Sequence, residues 1–285
     1  MNYNYPSKDL LEERSSELDN NKYYGLKNMI YSRDFNDKLL LPIGIDDQNE
    51  KYFINMHEES GLLITGETGS GKSILLNDIV ISLLFKNNPK ELQLFFIDPR
   101  NVEFNIYKDI PHVKGNVYSS LIESLVVLKM ILDTLEERRK LFIKNNAKNI
   151  DNYNIDSKNP LPQVVLIIDE CSDIFRYKEA NIYIKRILSE GYKFGVHLIM
   201  ATSSYLKEYS DTEIIDMFNY IISFDLASEE QAKYLRIKKA NLLSICGEAL
   251  VKCEGDNIVN IQVPYVSDLD IEEVVDYIIK ENKKN

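Results

Sequence analysis

The residues with the clearest chemical potential are GETGSGKS, Gly66 to Ser73, set between the apolar stretches LLIT and ILLNDIVISLLFK. Gly66, Gly69 and Gly71 let the backbone curl until successive N–H groups face one point. A helix N-terminus behind them adds a positive dipole, so Gly66, Glu67, Thr68, Gly69, Ser70, Gly71, Lys72 and Ser73 together read as a cradle for phosphate oxygens. Lys72 would reach the β and γ phosphates of ATP, and the Ser73 hydroxyl would sit on Mg²⁺. The GxxxxGK[ST] pattern is complete and lies between a strand and a helix, which sets it apart from an accidental Gly-rich turn.

A phosphate cradle needs a second group for the metal and a carboxylate to orient or deprotonate water. The run VVLIIDE ends in both. Its apolar residues bury a strand and deliver Asp169 to the C-terminal end, where open α/β sheets place their ligands. Asp169 is then expected on the Mg²⁺ shell and Glu170 on the attacking water. Alone, such a run would be a strand ending in two solvated acids; downstream of the cradle the catalytic reading takes precedence.

Elements that could position these groups follow from the hydrophobic pattern. LLLPIGI and KYFINM bracket the turn-rich DDQNE and predict a hairpin leading into the strand GLLIT, 61–65. A helix is expected from Gly71 to Lys86, then buried strands at 92–98, 163–170, 196–202 and 220–225. Leu121, Leu125, Leu128, Ile131, Leu132 and Leu135 recur at helical spacing in a long helix over 119–144, and another helix covers 178–191. GEALVKC and NIVNIQVPYV add two late strands. The alternation predicts an α/β fold with a mainly parallel sheet, helices on both faces and antiparallel strands added near the C-terminus. Residues 1–37 read as a polar arm or linker with little order and a short helix near 9–18; 38–267 form the nucleotide-binding domain; 268–285 form an amphipathic helix and fraying tail.

The chain of 285 residues carries 34 Lys and Arg against 45 Asp and Glu, a formal charge of −11. That disfavours a broad nonspecific grip on nucleic acid, so any DNA contact must be local. Cys171, Cys246 and Cys253 fit neither a disulfide framework nor metal spacing, which points to reduced thiols and the cytoplasm. No apolar run approaches the roughly 18 residues needed to span a bilayer, so a membrane would be reached only through a partner.

Several blocks in order resemble the motor domain of the FtsK/SpoIIIE family: LPIGID, GETGSGKS, FFIDPR followed by YKDIPHV, LEERRKLF with NAKNIDNYN, LPQVVLIIDE and GVHLIMAT. The resemblance covers roughly 39–265 and implies a RecA-like P-loop NTPase. Such domains form rings, commonly hexamers, that use ATP to move double-stranded DNA; secretion and conjugation relatives drive or license export. It also implies that Thr202 and its neighbours lie where the family keeps a γ-phosphate-sensing polar group, which adds Ser203 to the expected ATP contacts.

Departures from the family bear on hydrolysis. Ser203 and Ser204 stand where the family continues with Gln-Arg, and Tyr220 stands in the position of an arginine. The Ser-Arg of the next helix is replaced around Gln231 to Lys233. The basic clusters Arg138, Arg139, Lys140, Lys144 and Lys233, Arg236, Lys238, Lys239 read first as structural or solvated faces and second as DNA contacts. Arg176 and Arg186 read first as surface charge, and His112 and His197 as packed or hydrogen-bonded rings. The leading expectation is an ATP-hydrolysing DNA translocase-like motor, used in plasmid or mobile-element transfer with an anchoring partner. The alternative is an ATP-binding secretion-coupling or assembly module that docks a protein with slow or no turnover. A P-loop kinase is the weakest reading, since no lid-like Arg cluster is seen.

Overall fold

The structure is a computed structural model that describes residues 3–14, 24–32, 35, 37–204, 206–208, 212–253 and 257–284. Its strands are β1 (Leu40–Ile45), β2 (Lys51–Asn55), β3 (Gly61–Thr65), β4 (Leu92–Ile97), β5 (Val113–Tyr118), β6 (Gln163–Ile168), β7 (Val196–Thr202), β8 (Tyr220–Ser223), β9 (Glu248–Lys252) and β10 (Ile258–Gln262). The helices are α1 (Leu26–Ile30), α2 (Lys72–Lys86), α3 (Leu121–Lys144), α4 (Ile150–Asp156), α5 (Lys178–Glu190), α6 (Thr212–Ile215), α7 (Glu229–Tyr234) and α8 (Asp268–Lys284).

All ten strands form one sheet, ordered β2-β1-β10-β9-β8-β3-β7-β6-β4-β5. Pairing is parallel from β8 through β3, β7, β6 and β4 to β5, and antiparallel among β8, β9, β10, β1 and β2. This is the expected mixed sheet, but its antiparallel part also takes in the β1–β2 hairpin from the start of the domain. The hairpin joins the far edge through β10, because the antiparallel strands β9 and β10 occupy the space beside β8.

Side chains alternate between two cores. Leu62, Ile64, Leu94, Phe96, Val165, Ile167, Ile199 and Ala201 face α2 and α8, while Leu63, Phe95, Ile97, Leu166, Ile168, Leu198 and Met200 face α3 and α5. A sheet covered on both faces needs apolar residues at every position of its strands, so they read as unbroken hydrophobic runs. The long helix α3 starts at a capping box, in which Ser120 and Glu123 satisfy each other's backbone donors.

The expectation of a loosely ordered arm over 1–37 does not hold for its described residues. Leu11, Tyr24, Leu26, Met29, Ile30 and Phe35 are buried, and Leu26, Met29 and Ile30 repeat at i, i+3, i+4 on α1. Of the helix expected near 9–18, the structure shows a single 3₁₀ turn at Lys8–Leu10; residues 15–18 lie outside the described residues. At the other end α8 is amphipathic as expected, but it is no fraying appendage. Ile271, Val274, Val275 and Ile278 enter the same core as α2, and Asp270 accepts from Ser267 Oγ (2.7 Å) and from the backbone N–H of Glu12 (2.9 Å). Strand β5 was not foreseen, because Gly115 and Asn116 interrupt its apolar pattern.

One residue of the core conflicts with its surroundings. Asp78 on α2 is fully buried, and neither carboxyl oxygen has a hydrogen-bond partner among the described residues. Burial pushes its pKa well above the usual carboxylate range. A raised folded pKa costs nothing below the unfolded value of about 4 and destabilises increasingly as pH rises toward the folded value. Asp78→Val is therefore expected to stabilise the fold near pH 7 by about 1–3 kcal/mol, visible as a higher melting temperature than the unaltered chain, with the gap closing toward pH 4.

Candidate functional site

The parallel strands bring their C-terminal ends to one edge, where β3, β7 and β6 lie side by side. Gly66 follows β3, Ser203 follows β7, and Asp169 and Glu170 follow β6. The sequence-predicted groups are thus placed together by strand order.

In the loop before α2, Gly66 and Gly71 have φ of +151° and +122°. A Cβ at Gly66 would come within 2.6 Å of the Phe224 side chain, so the cradle needs glycine for space as well as for conformation. Backbone bonds hold the loop from outside: Glu67 N–H donates to Asp225 O (2.7 Å), and Gly247 N–H to Ser70 O (3.0 Å). Thr68 and Gly69 are exposed at its tip, with Cys246 Sγ against Gly69 O (3.6 Å). Lys72 opens α2 and is buried; its ammonium donates to Gly66 O (2.8 Å) and Glu67 O (2.7 Å). Burial lowers its pKa, partly offset by Glu170 and Asp169. An incoming phosphate would exchange with these carbonyls. Ser73, on the next position of α2, is half-buried.

Asp169 and Glu170 are adjacent in sequence and opposite in environment. Burial, then the carboxylates of Glu103 and Asp98, push Asp169 up to about 6. Glu170 has a left-handed φ of +61°, which costs a non-glycine residue about 1–3 kcal/mol and needs support from its surroundings. That support is a set of donors: Thr202 Oγ1 at 2.6 Å on one carboxylate oxygen, and Ser203 Oγ at 2.6 Å with Ser203 N–H at 2.9 Å on the other. Ser204 Oγ approaches at 3.4 Å, and Ser172 N–H also at 3.4 Å. Burial alone would raise the Glu170 pKa, but the hydrogen bonds of Ser203 and Thr202 outweigh it and hold the group at about 2. Both oxygens are occupied, so Glu170 cannot accept a water proton without losing a donor. Ser203, expected on the nucleotide, has its hydroxyl on Glu170 here.

Asp169 is a buried acid beside three other carboxylates, which suits a hard cation. Among the described residues no cluster of three or more His, Cys, Asp or Glu side chains could hold a metal. A single buried carboxylate would suit an ion such as Mg²⁺, which takes one or two protein ligands and completes its shell with phosphate and water.

The remaining candidates lie elsewhere. Arg138 is buried and donates to the carbonyls of Phe194 (2.6 Å), Gly195 (3.1 Å) and Pro162 (2.7 Å), clamping the starts of β6 and β7 at the edge opposite the site. Arg139 pairs with Glu136 and Glu190, and Arg186 with the same two acids; Lys140 and Lys144 are exposed. Arg176 pairs with Asp173, Lys233 with Glu229 and Arg236 with Asp216, while Lys238 and Lys239 are exposed. Tyr220 opens β8 beside Leu62, at the end of the strand remote from the cradle. His112 bonds Asn87 O (2.9 Å), and His197 bonds Glu59 O (2.7 Å) and Gln163 (3.1 Å); burial lowers both to about 4, so neither acts as an acid or base here. A roomy groove at the edge opposite the site is lined by Lys38, His57, Glu91 and Asp151, whose charges pair as Lys38–Glu91 and His57–Asp151. Arg100, at the end of FFIDPR, carries no signal of its own in the sequence beyond its place in a family block. Its guanidinium lies 3.9 Å from Glu170.

Comparison with known proteins agrees with this geometry. A model of the FtsK/SpoIIIE family matches residues 27–242. The DNA translocase FtsK of Staphylococcus epidermidis is 32% identical over 262 residues, 87% of this chain and 33% of that protein. The DNA translocase FtsK of Campylobacter jejuni is 32% identical over 256 residues, 84% of this chain and 26% of that protein. The chain thus spans a third or less of the length of these relatives. Among solved structures, the cytoplasmic domain of the type VII secretion ATPase EccC from Thermomonospora curvata superposes with a TM-score of 0.74 at 22% identity, over 87% of this chain and 32% of that one. The pCW3 conjugation coupling protein TcpA superposes at 0.73, also at 22% identity, over 90% of this chain and 73% of that one. Both share the fold.

Because Asp169 must be ionised to hold a cation, affinity for a fluorescent ATP analogue in the presence of Mg²⁺ is expected to fall as pH drops through about 6. Asp169→Asn should bind more weakly, by about 10-fold or more, and lose the inflection that this carboxyl contributes. An inflection unchanged by the substitution would belong to the nucleotide.

Proposed function

Because the chain belongs to the FtsK/SpoIIIE family, we propose that it is a P-loop ATPase domain that couples ATP hydrolysis to movement of double-stranded DNA. In this reading Gly66 to Ser73 wrap the phosphates, and Lys72 leaves the Gly66 and Glu67 carbonyls for the β and γ oxygens. Ser73 and Asp169 would hold the Mg²⁺ that accompanies ATP and screens phosphate charge. Glu170 orients the attacking water and takes its proton once a hydroxyl of Thr202 or Ser203 lets go. The observation that carries the proposal is the convergence of the cradle, Asp169 and Glu170 on the adjacent ends of β3, β7 and β6.

The working form is a homo-oligomeric ring, a hexamer by analogy with the family, in the cytoplasm. A partner in conjugation or secretion would accompany it; among the described residues no helix is long and apolar enough to cross a membrane. DNA would be held locally, given the formal charge of −11. Exposed Lys238 and Lys239 are better placed for this than Arg138, which is spent inside the fold.

The second reading, a nucleotide-binding assembly or secretion-coupling module with slow turnover, is favoured by the saturated Glu170 carboxylate. A base held at about 2 is a weak proton acceptor at neutral pH. Steady-state ATP hydrolysis with and without long linear duplex DNA, at low and moderate salt, separates the two. Marked stimulation by DNA is expected, together with loss in Lys72→Ala and a fall of about 10²–10⁴-fold in Glu170→Gln. ATP binding without turnover under either condition would transfer the case to the docking module.

A further inference from the structure

The loop after β4 is built to present one side chain. Asp98 is fully buried and organises the turn: its Oδ1 accepts from Arg100 N–H (3.1 Å), and its Oδ2 from Glu103 N–H (2.8 Å) and Phe104 N–H (3.2 Å). The Asp98 carbonyl takes a further bond from Asn101 N–H (3.0 Å). Phe104 and Tyr107 stack on Phe96 beneath, with ring centroids 4.6 and 5.7 Å away, anchoring the loop in the core. A carboxylate that accepts several backbone N–H groups fixes a loop far more firmly than an exposed turn is normally fixed.

Arg100 projects from this platform to the mouth of the cradle. Its Nη2 lies 3.9 Å from Glu170 Oε2, and the side chain is 56% exposed. Its charge is felt across the whole site, opposing protonation of Lys72 and favouring ionisation of Asp169. As a bare surface pair, an ion contact at this separation contributes only about 0–1 kcal/mol. At that length it is no hydrogen bond, and among the described residues no acceptor takes a hydrogen bond from the guanidinium. A five-donor fork is thus uncommitted on a rigid loop, between the lysine that meets the phosphates and the carboxylate that meets the water.

Resting on the ATPase reading above, we propose that Arg100 is a catalytic residue acting in cis, with its guanidinium on the γ-phosphoryl oxygens. In the step it serves, water oxygen bonds to the γ phosphorus as the bond to the β–γ bridging oxygen breaks. ADP leaves with the bond's electron pair, and the water proton passes to Glu170 and on to phosphate. Arg100 offers a planar fork to the equatorial oxygens, where charge accumulates, as arginine does in phosphate recognition. This gives the chain a transition-state cation of its own, although Ser204 and Tyr220 stand where its family keeps arginines.

Binding measurements test this without turnover. ADP with aluminium fluoride mimics the γ-phosphoryl group in flight, while ADP alone lacks it. Arg100→Ala is expected to bind ADP within about 3-fold of the unaltered chain but the fluoride complex about 10²-fold or more weakly, and to lower kcat by about 10³-fold. Arg100→Lys should recover part of both, and added guanidinium should restore part of the rate to Arg100→Ala. Equal affinity of Arg100→Ala and the unaltered chain for the fluoride complex would overturn the proposal. So would a kcat loss accompanied by an acid limb moved to higher pH without rescue by guanidinium, since Arg100 would then be only the counter-ion of Glu170. Absence of hydrolysis by the unaltered chain sinks the ATPase reading instead, and the fluoride comparison still decides on Arg100.

Discussion

A parallel strand buried on both faces can present polar chemistry only at its ends, because every residue along it meets apolar side chains. Strands β3, β4, β6 and β7 follow this constraint apart from Gln93 and His197 near the starts of β4 and β7, and all four run the same way. Their C-terminal ends therefore collect the polar residues that the cores cannot hold: Gly66 and the cradle, Asp98 with Arg100, Asp169 with Glu170, and Thr202 with Ser203. The antiparallel strands β9, β10, β1 and β2 extend the sheet away from it, and the Cys246–Gly247 turn before β9 reaches back to brace the cradle.

Two neighbouring carboxylates are driven apart by what surrounds them. Asp169 sits in a buried, acid-lined position and rises, while Glu170 turns through a left-handed backbone into a ring of hydroxyls and falls. Divergent environments of this kind keep like groups in different protonation states, which is what the proposed division of roles between them requires. The strain at Glu170 and its hydrogen bonds belong together, since the donors from Thr202 and Ser203 are what hold the unusual backbone. In the proposed mechanism, a ligand that drew these hydroxyls away would also loosen Glu170, because the donors are shared.

Most of the remaining charge is structural. Arg138 satisfies three carbonyls at the edge opposite the site, and neutral His112 and His197 bridge loops there through backbone oxygens. These groups sit in blocks that resemble the family as strongly as the cradle does. Their contribution is to hold the starts of β6 and β7, and through them the register of the strands that end at Asp169 and Thr202.

The cradle, the acidic pair and the order of strands and helices were legible in the sequence because each is a local pattern: glycine spacing, an apolar run ending in acids, periods of 2 and 3.6. Leu26, Met29 and Ile30 carried a helical signal too short to stand out in a polar segment, and β5 carried none, since Gly115 and Asn116 interrupt it. What the sequence could not decide was which polar groups meet across separate strands. That Ser203 spends its hydroxyl on Glu170, that Arg138 is a clamp rather than a surface charge, and that the Arg100 guanidinium lies 3.9 Å from Glu170 all depend on strand order. Residues 100, 170 and 203 are far apart in the chain and become neighbours because β4, β6 and β7 lie side by side in the sheet.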